Sequence, residues 1–219
     1  METFKTKISR ELAVQYGREA VRIIEAGRYR APSGRVVEIA DVLQKSLDGT
    51  KSYPPDSTIE EKCPGNFKTE INVENTTTLA AAQELLAVGQ TPVLLNFAAA
   101  THPGGGFLAG ARAQEEYLAR SSGLYACLKD NPMYDFHRRN YDPLYTNYAI
   151  YSPAVPVFRS DDGALLDEPY TVAIITSPAV NAAKLDPSRH LEIGPAMWQR
   201  IVKVLAIGVL HGHDSIVLG

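Results

Sequence analysis

The residues best suited to chemistry lie in one short stretch of the chain. Three consecutive glycines, Gly104–Gly106, are followed after seven residues by Gln114, Glu115 and Glu116. Glycines let the backbone approach a ligand closely and adopt positive φ. Two neighbouring carboxyls shielded from water repel each other, which raises the pKa of at least one. A carboxyl with a raised pKa can act as a general acid near neutral pH, while its neighbour grips sugar hydroxyls.

The glycine run also predicts an anion site. An apolar strand precedes it and a helix follows it, so unpaired amides and the helix dipole would both favour negative charge. A diphosphate could bind there although the net charge of the chain is −3. Each feature has a plainer explanation, because acidic residues commonly complement the dipole in a helix's first turn. The ordered combination of strand, glycines, QEE and helix is more specific than any single part.

Strands and helices alternate along the chain, which predicts an α/β fold with a parallel or mixed sheet. Three-to-four-residue apolar spacing and capping residues predict helices at residues 9–26, 41–47, 79–88, 113–128 and 197–210. Alternating or continuous apolar runs predict strands at residues 36–39, 69–77, 92–100, 171–180 and 214–219. Residues 148–158 carry two prolines, which predicts an edge strand or an irregular strand.

Residues 48–66 are rich in Gly, Ser, Pro and Asp, which predicts a surface loop. We expect this loop to separate an N-terminal helical extension, residues 1–66, from a main domain, residues 67–219. In open α/β sheets the ligand crevice lies beyond the carboxyl ends of the strands, so a functional loop is expected after the last strand. Because that strand ends at Gly219, we expect either that the main domain is truncated at its C-terminus or that a partner segment completes it.

Composition excludes several classes of function. With 22 Lys and Arg against 25 Asp and Glu, the chain has no general attraction to nucleic acid or to anionic membranes. We therefore expect neither membrane binding nor direct sequence-specific nucleic acid binding. No spacing of His, Cys, Asp or Glu indicates a metal site, and no cofactor is expected. Cys63 and Cys127 lack CxxC spacing and no signal peptide pattern occurs, which favours free thiols in the cytoplasm.

The stretch NFAAATHPGGGFLAGARAQEEYLARSSGLY, residues 96–125, resembles the signature of poly(ADP-ribose) glycohydrolases, in which a triple glycine precedes QEE. Its flanking NFA and YLARSSGLY resemble the short bacterial branch of that family. The N-terminal helix, EAGRYRAPSGRVVEI, ENTTTLAAAQELL and HGHDSIVLG extend the similarity to most of the chain. The resemblance implies a macrodomain-like, three-layer α/β/α domain with a mixed sheet, which binds ADP-ribose in a surface cleft.

The resemblance also implies roles for individual residues. Glu116 would protonate the glycosidic oxygen that joins two ADP-ribose units, and would then act as the base toward water. Glu115 would bind ribose hydroxyls, and Gln114 would help to set the loop. Gly104–Gly106 and Phe107 would wrap the distal ribose and the diphosphate.

Other residues are weaker candidates. Asn96 ends a buried run and its amide needs partners, so a structural hydrogen bond is as well supported as a ligand contact. Asn181 lies beyond a strand end, where the resemblance places the adenine side of the cleft; an ordinary turn is the alternative. His102 replaces an Asn that is frequent in relatives, and we expect it to hold the loop. Trp198, on an amphipathic helix, is expected in the core.

The leading hypothesis is a hydrolase that releases ADP-ribose from poly(ADP-ribose) during the DNA damage response. Its expected partners are poly(ADP-ribose), ADP-ribose and ADP-ribosylated proteins. One alternative is a non-catalytic reader of ADP-ribose, because a fold alone does not fix function. The pair Glu115 and Glu116 argues against the reader, since a diphosphate binder gains nothing from buried negative charge. The other alternative is a hydrolase of mono-ADP-ribosylated protein or DNA.

Overall fold

The computed structural model describes residues 8–59, 65 and 68–219. Its strands are β1 (Arg28–Arg30), β2 (Val36–Glu38), β3 (Lys51–Tyr53), β4 (Pro92–Ala98), β5 (Ala149–Arg159), β6 (Leu165–Pro178) and β7 (Ser215–Val217). Its α-helices are α1 (Arg10–Ala26), α2 (Ala40–Gly49), α3 (Thr78–Ala87), α4 (Gln114–Ser121), α5 (Leu124–Leu128), α6 (Pro132–Arg139) and α7 (Ile193–Leu210). Short 3₁₀ turns occur at Phe107–Ala109, Ala182–Lys184 and Pro187–Glu192.

A mixed five-stranded sheet forms the centre, with the strand order β3-β5-β6-β4-β7. β4 runs parallel to β6 and β7, whereas β5 runs antiparallel to β3 and β6. Successive side chains of a strand point to opposite faces. Accordingly, Leu94 packs with Leu118 of α4 on one face, and Val93 packs with Ile207 of α7 on the other. The predicted α/β/α layering with a mixed sheet is confirmed.

Helix α1 packs directly against the glycine loop. Ser9 Oγ accepts the N–H of Leu12, and Gly27 ends the helix at a φ of 63°, as the sequence predicts. Gly17 is buried on the inner face, where a Cβ would lie 2.9 Å from the carbonyl oxygen of Phe107. Any larger residue at position 17 would therefore push α1 away from the loop.

A buried arginine anchors α1 to the sheet. Arg159 at the end of β5 donates to Glu19 Oε2 at 2.7 Å, and its guanidinium lies 4.3 Å from the centre of the Tyr16 ring. It also donates to the backbone carbonyls of Arg120 and Gly163. A buried guanidinium needs such complete pairing, because an unpaired charge would be costly to desolvate. The position of α1 relative to α4 and β5 is therefore fixed by polar contacts as well as by packing.

The predicted loop at residues 48–66 is wrong in part, because Lys51–Tyr53 forms β3 and pairs antiparallel with β5. A three-residue strand is too short to show a period of two in the sequence. Cys63 lies outside the described residues, and the buried Cys127 is a free thiol. The division into residues 1–66 and 67–219 stays a prediction, although β3 joins the same sheet as β4–β7.

The strand predicted at residues 69–77 is wrong. This segment has no regular structure, and its apolar side chains point to solvent, with Ile71 85% and Val73 94% exposed. An alternating pattern forms a strand only when a neighbouring strand and a core are present, and among the described residues neither adjoins this segment. Its last residue, Thr77, caps α3 by accepting the N–H of Ala80 at 3.1 Å.

The single helix predicted at residues 113–128 is divided into α4 and α5. Ser122 is extended, with φ −146° and ψ 174°, and forms an isolated bridge with Val157. Gly123 passes so close to the core that a Cβ would lie 2.8 Å from Leu43. The sheet therefore interrupts the helix at a point where the apolar periodicity alone continues.

One further expectation about the sheet needs correction in part. β5 is an interior strand between β3 and β6 rather than an edge strand, although its register shifts between Ser152 and Val155 and between Val157 and Arg159 confirm that it is irregular. Helix α6 lies in a stretch for which the sequence gives no structural prediction.

Helix α7 buries one face and leaves the other in solvent. Val204 and Ile207 pack against the sheet, whereas Trp198, expected in the core, is 68% exposed. By length and composition alone, the helical stretch Pro187–Leu210 is apolar enough to cross a membrane. A core helix passes the same test, so this property is weak support for a membrane segment.

Candidate active site

The carboxyl end of β4 and the first turn of α4 are fastened together by Gln114. Its Oε1 accepts the backbone N–H of Phe97 at 3.0 Å, and its Nε2 donates to the carbonyl of Leu95 at 2.7 Å. Through these two hydrogen bonds, the Gln114 amide pairs with the backbone of β4 in the way that a neighbouring strand would. The next two residues, Glu115 and Glu116, are consequently held at the mouth of the sheet.

Glu115 is almost fully buried, with 4% of its surface exposed. Its Oε2 accepts the N–H of Ala99 at 2.7 Å, while Oε1 has no hydrogen-bond partner among the described residues. Burial raises the pKa of Glu115 to about 8, the Ala99 N–H opposes this shift, and the charge of Glu116 adds to it. The raised pKa expected for one member of the pair is therefore found at Glu115, the residue expected to bind the ribose, with desolvation rather than repulsion as its main cause. The raised pKa thus does not by itself identify the general acid.

A small polar enclosure surrounds Glu115 beneath the loop. Asn96 on β4 is fully buried and donates through Nδ2 to Thr176 Oγ1 on β6 at 3.2 Å. The Asn96 amide also favours the charged form of Glu115 and so lowers its pKa. Burial raises the pKa of Tyr134 well above its usual value, and the nearby Glu115 charge adds to this effect. Asn96 Oδ1 and the Tyr134 hydroxyl have no partner among the described residues.

Glu116 faces the glycine loop. Its Oε1 accepts the N–H of Gly106 at 2.8 Å and its Oε2 accepts the N–H of Ala113 at 3.0 Å, with only 8% of the residue exposed. The bond to the Ala113 N–H also caps α4, so Glu116 has the structural role that acidic residues commonly have in the first turn of a helix. A carboxylate has about four lone-pair positions, so each oxygen keeps one for a ligand or for water.

Arg120 supports the loop from one helical turn beyond Glu116. It is buried, and its Nη1 donates to the carbonyl of Ala111 at 2.6 Å. Burial lowers the pKa of Arg120, while the charge of Glu116 opposes that change. The guanidinium thus lies within electrostatic range of the Glu116 carboxylate and fixes the segment that carries its two N–H donors.

The glycine loop makes room for the carboxylates. Gly104 and Gly105 have φ of 69° and 59°, which side chains disfavour. A Cβ on Gly105 would overlap Glu116 Oε1 and lie 2.9 Å from Glu115 Oε2, so the two carboxylates meet beside this residue.

The expectation that the loop amides are unpaired is wrong for two of the glycines. The N–H of Gly105 donates to the carbonyl of His102 at 3.0 Å, and the N–H of Gly106 donates to Glu116. A helix-side anion site needs free N–H groups, whereas these donors are already used inside the protein. The glycines therefore act first by giving the backbone a shape that holds Glu116.

The remaining candidates lie around this loop. Phe107 is buried beneath it, with its ring 4.9 Å from the Tyr125 ring. Asn181 follows the carboxyl end of β6, at the same sheet edge as the end of β4, and its N–H donates to the carbonyl of Pro143. Among the described residues, no hydrogen bond joins the Asn181 side chain to Glu115 or Glu116. His102 bonds through Nδ1 to Thr101 Oγ1 at 2.8 Å.

Three functional neighbours could not be identified from the sequence. Arg120, Tyr134 and Thr176 carry no motif, and they reach the glutamates only through the fold. Within residues 8–59, 65 and 68–219, no group of three or more His, Cys, Asp or Glu side chains is arranged to hold a metal ion. The groups that the fold brings together here are carboxylates, amides, hydroxyls, one guanidinium and backbone N–H groups.

The buried Glu115 should make protein stability depend on pH. Its folded-state pKa, about 8, lies above the ordinary value of 4.5, so the folded protein holds a proton that the unfolded chain releases. This contribution to the free energy of unfolding is fully present below pH 4.5 and is lost as the pH rises through about 8. Urea unfolding across this range measures it.

Glu115→Gln is the matched control for this titration, because glutamine resembles the protonated acid and cannot ionise. The stability of the wild-type protein relative to Glu115→Gln should therefore fall steadily between pH 4.5 and 8. A constant difference would show that Glu115 does not titrate in this window.

The mixed sheet between two layers of helices defines a macrodomain-like fold. The two adjacent buried glutamates beside the glycine loop, at the end of β4, form a hydrolase-type site. Over residues 17–160 the chain matches the family described as the microbial-type PARG catalytic domain, where PARG is poly(ADP-ribose) glycohydrolase. The chain belongs to the microbial-type poly(ADP-ribose) glycohydrolases.

Solved structures agree with this assignment. The poly(ADP-ribose) glycohydrolase of Thermomonospora curvata, bound to the inhibitor ADP-HPD, is 50% identical, with a TM-score of 0.89 over 95% of this chain and 78% of that chain. The Deinococcus radiodurans enzyme in complex with ADP-ribose is 39% identical, with a TM-score of 0.76 over 81% of this chain and 75% of that chain. A comparison with curated proteins gives no match.

Proposed function

We propose that this chain hydrolyses the ribose–ribose O-glycosidic bonds of poly(ADP-ribose) and releases ADP-ribose, with Glu116 as the acid and base. The observation that carries this proposal is the position of the Glu116 carboxylate. Two backbone N–H groups orient it beside a loop that has no side chains at Gly104–Gly106. A nearly buried carboxyl in this position acts in a medium where electrostatic interactions are strong.

The proposed reaction has two proton transfers at one carboxyl. Glu116 gives a proton to the glycosidic oxygen as the bond from that oxygen to the anomeric carbon breaks, which leaves an oxocarbenium-like ribose. Water then attacks the anomeric carbon, and Glu116 accepts a proton from it. The carboxyl is thereby restored, one bond has been exchanged for another, and no metal or cofactor takes part.

Glu115 has the complementary task of holding the sugar. With its pKa near 8, it is largely protonated at neutral pH, so it can donate a hydrogen bond to a ribose hydroxyl or accept one. Protonation also removes the repulsion that two adjacent carboxylates would otherwise impose. Asn96 and Gln114 act on this side by positioning, because their amides bond to Thr176 and to β4 respectively.

The glycine loop and the ends of β4 and β6 complete the proposed cleft. We place the distal ribose over Gly105 and Gly106, where the missing side chains allow close approach, with Phe107 supporting the loop from below. The diphosphate follows along Gly104, and the adenine lies toward Asn181. ADP-ribosylated proteins, which carry the polymer, are the proposed partners, and the cytoplasm and the DNA damage response are the proposed setting.

Purified substrates separate the candidate functions. The protein should release ADP-ribose from purified poly(ADP-ribose), which chromatography of the products detects. Mono-ADP-ribosylated protein and mono-ADP-ribosylated DNA serve as comparison substrates. Binding of the polymer without product would support the reader, and release from the mono-ADP-ribosylated substrates alone would support the related hydrolase.

A further inference from the structure

A groove of about 600 Å³ follows the outer face of α1 and reaches the catalytic loop at Leu108. Its lining residues recur at three- and four-residue spacing, which places them on one helical face: Glu11, Val14, Gln15, Arg18, Val21 and Arg22. Val14 and Val21 give it a partly apolar floor, and Leu108 is 43% exposed at its end. We call this feature the α1 groove.

Arg18 and Arg22 bring two positive charges to the groove. They are exposed and lie four residues apart on the helix, where like charges repel by a few tenths of a kcal/mol. Among the residues that the structure describes, no carboxylate lies within 4.0 Å of either guanidinium. The pair Arg18 and Arg22 destabilises its own helix slightly and presents two guanidinium groups together. Such a pair is suited to an anionic ligand.

The acidic residue of the groove does not neutralise these arginines. Glu11 lies in the first turn of α1, where its own backbone N–H, the Ser9 hydroxyl and the charges of Arg10 and Arg112 lower its pKa. Its charge is therefore already matched at the start of the helix. The part of the groove beyond Val14 remains positive.

The groove is connected to Glu116 through the glycine loop. In the proposed reaction the leaving oxygen faces Glu116 and carries the remainder of the chain. Glu116 is bonded to the N–H of Gly106, two residues before Leu108. The same loop touches α1 at Gly17, within one helical turn of Val14 and Arg18.

We propose that the α1 groove binds the part of poly(ADP-ribose) that continues beyond the bond being cleaved. Arg18 and Arg22 contact the diphosphate of the adjoining unit, and the apolar floor with Leu108 lies under its adenine or sugar. Each unit of the polymer supplies both chemistries, which matches the mixed lining. This inference rests on the proposed function, because it takes Glu116 as the point from which the polymer departs.

Binding measured in an inactive background tests the proposal without cleavage of the polymer. In Glu116→Ala protein, the additional pair Arg18→Glu and Arg22→Glu should weaken the affinity for fluorescent poly(ADP-ribose) by about tenfold or more. The affinity for ADP-ribose alone should stay within about twofold, because a single unit does not reach the groove. Each phosphate contact contributes about 0.7 to the slope of log affinity against log salt concentration, so the loss of two contacts should reduce the magnitude of this slope by about 1.4.

Lys45→Glu with Lys51→Glu is the matched control, since it makes the same change of charge on α2 and on β3, which is separated from β4 by the two strands β5 and β6. This control should bind the polymer as the parent does. An unchanged polymer affinity in the arginine variant, or an equal loss with the lysine variant or with ADP-ribose, would overturn the proposal. So would an equal loss of binding to single-stranded DNA, which would indicate a surface for any polyanion. If the wild-type protein binds polymer through the groove but cleaves nothing, the proposed function fails, and the groove is a polymer-binding surface without a cleavage site.

Discussion

Replacing Glu116 with alanine is expected to slow the hydrolysis of poly(ADP-ribose) by about 1,000-fold or more while the fold stays intact. The variant loses the carboxyl that the N–H groups of Gly106 and Ala113 orient. The hydrophobic core of the variant should be unchanged, because Glu116 lies beyond the carboxyl end of β4 and not within the core. Single-turnover release of ADP-ribose measures the loss, and circular dichroism with a thermal melt checks the fold.

The glutamine variants of the two neighbours make this prediction specific. Glu115→Gln replaces a carboxyl that is largely protonated at neutral pH by a group of similar shape, so we expect a loss of about tenfold or less. Glu116→Gln should be nearly as inactive as the alanine variant, because an amide cannot exchange the proton. Turnover retained in Glu116→Gln, or a larger loss in Glu115→Gln, would reverse the two roles.

Gly105→Ala should have the second-largest effect, with activity reduced by about 100-fold or more. The new Cβ would overlap Glu116 Oε1 and crowd Glu115, so both carboxyls must move. The φ of 59° adds backbone strain that the added side chain cannot relieve. Kinetics with poly(ADP-ribose), together with calorimetric binding of ADP-ribose, measure this displacement.

Gly34→Ala is the control for strain alone. Gly34 lies in the turn between β1 and β2 with a φ of 88°, and no atom lies within 4 Å of the position that a Cβ would take. Both glycine variants should lose stability, but only Gly105→Ala should lose activity. If the two variants retain equal activity, the carboxylates do not depend on the space beside Gly105.

Much of the architecture follows from local patterns in the sequence. The apolar spacing of α1, its Ser9 cap and its Gly27 stop are local signals, and the structure confirms them. The apolar run of β4 is likewise sufficient to identify a strand covered on both faces. The order of strand, glycines and paired glutamates predicts that Glu115 and Glu116 come together with the loop, and they do.

The errors arise where distant parts of the chain decide the local structure. Residues 69–77 alternate like a strand but have no neighbour to pair with, whereas β3 is too short to alternate and is formed by pairing with β5. The break at Ser122 depends on Val157, which is far along the chain. Similarly, the sequence predicts loop amides that are free to bind a diphosphate. Their internal partners, His102 and Glu116, become adjacent to them only after folding.

The site electrostatics show the same limit. Adjacent glutamates in a sequence predict repulsion, but the burial of Glu115 against Asn96 and Tyr134 is a property of three elements packed together. The raised pKa of Glu115 therefore depends on how deeply the fold buries this side chain, and depth is not encoded by spacing. The support of the loop by Arg120 is hidden for the same reason, since one turn of α4 separates it from Glu116.

A crystal structure of Glu116→Ala protein with bound ADP-ribose would test the central claim most directly. If Glu116 is the acid and base, the distal ribose lies over Gly105 and Gly106, with its anomeric carbon facing position 116 and a hydroxyl bonded to Glu115. An ADP-ribose whose distal ribose lies elsewhere, with its anomeric carbon turned away from position 116, would contradict the assignment of Glu116 as the residue that cleaves the polymer.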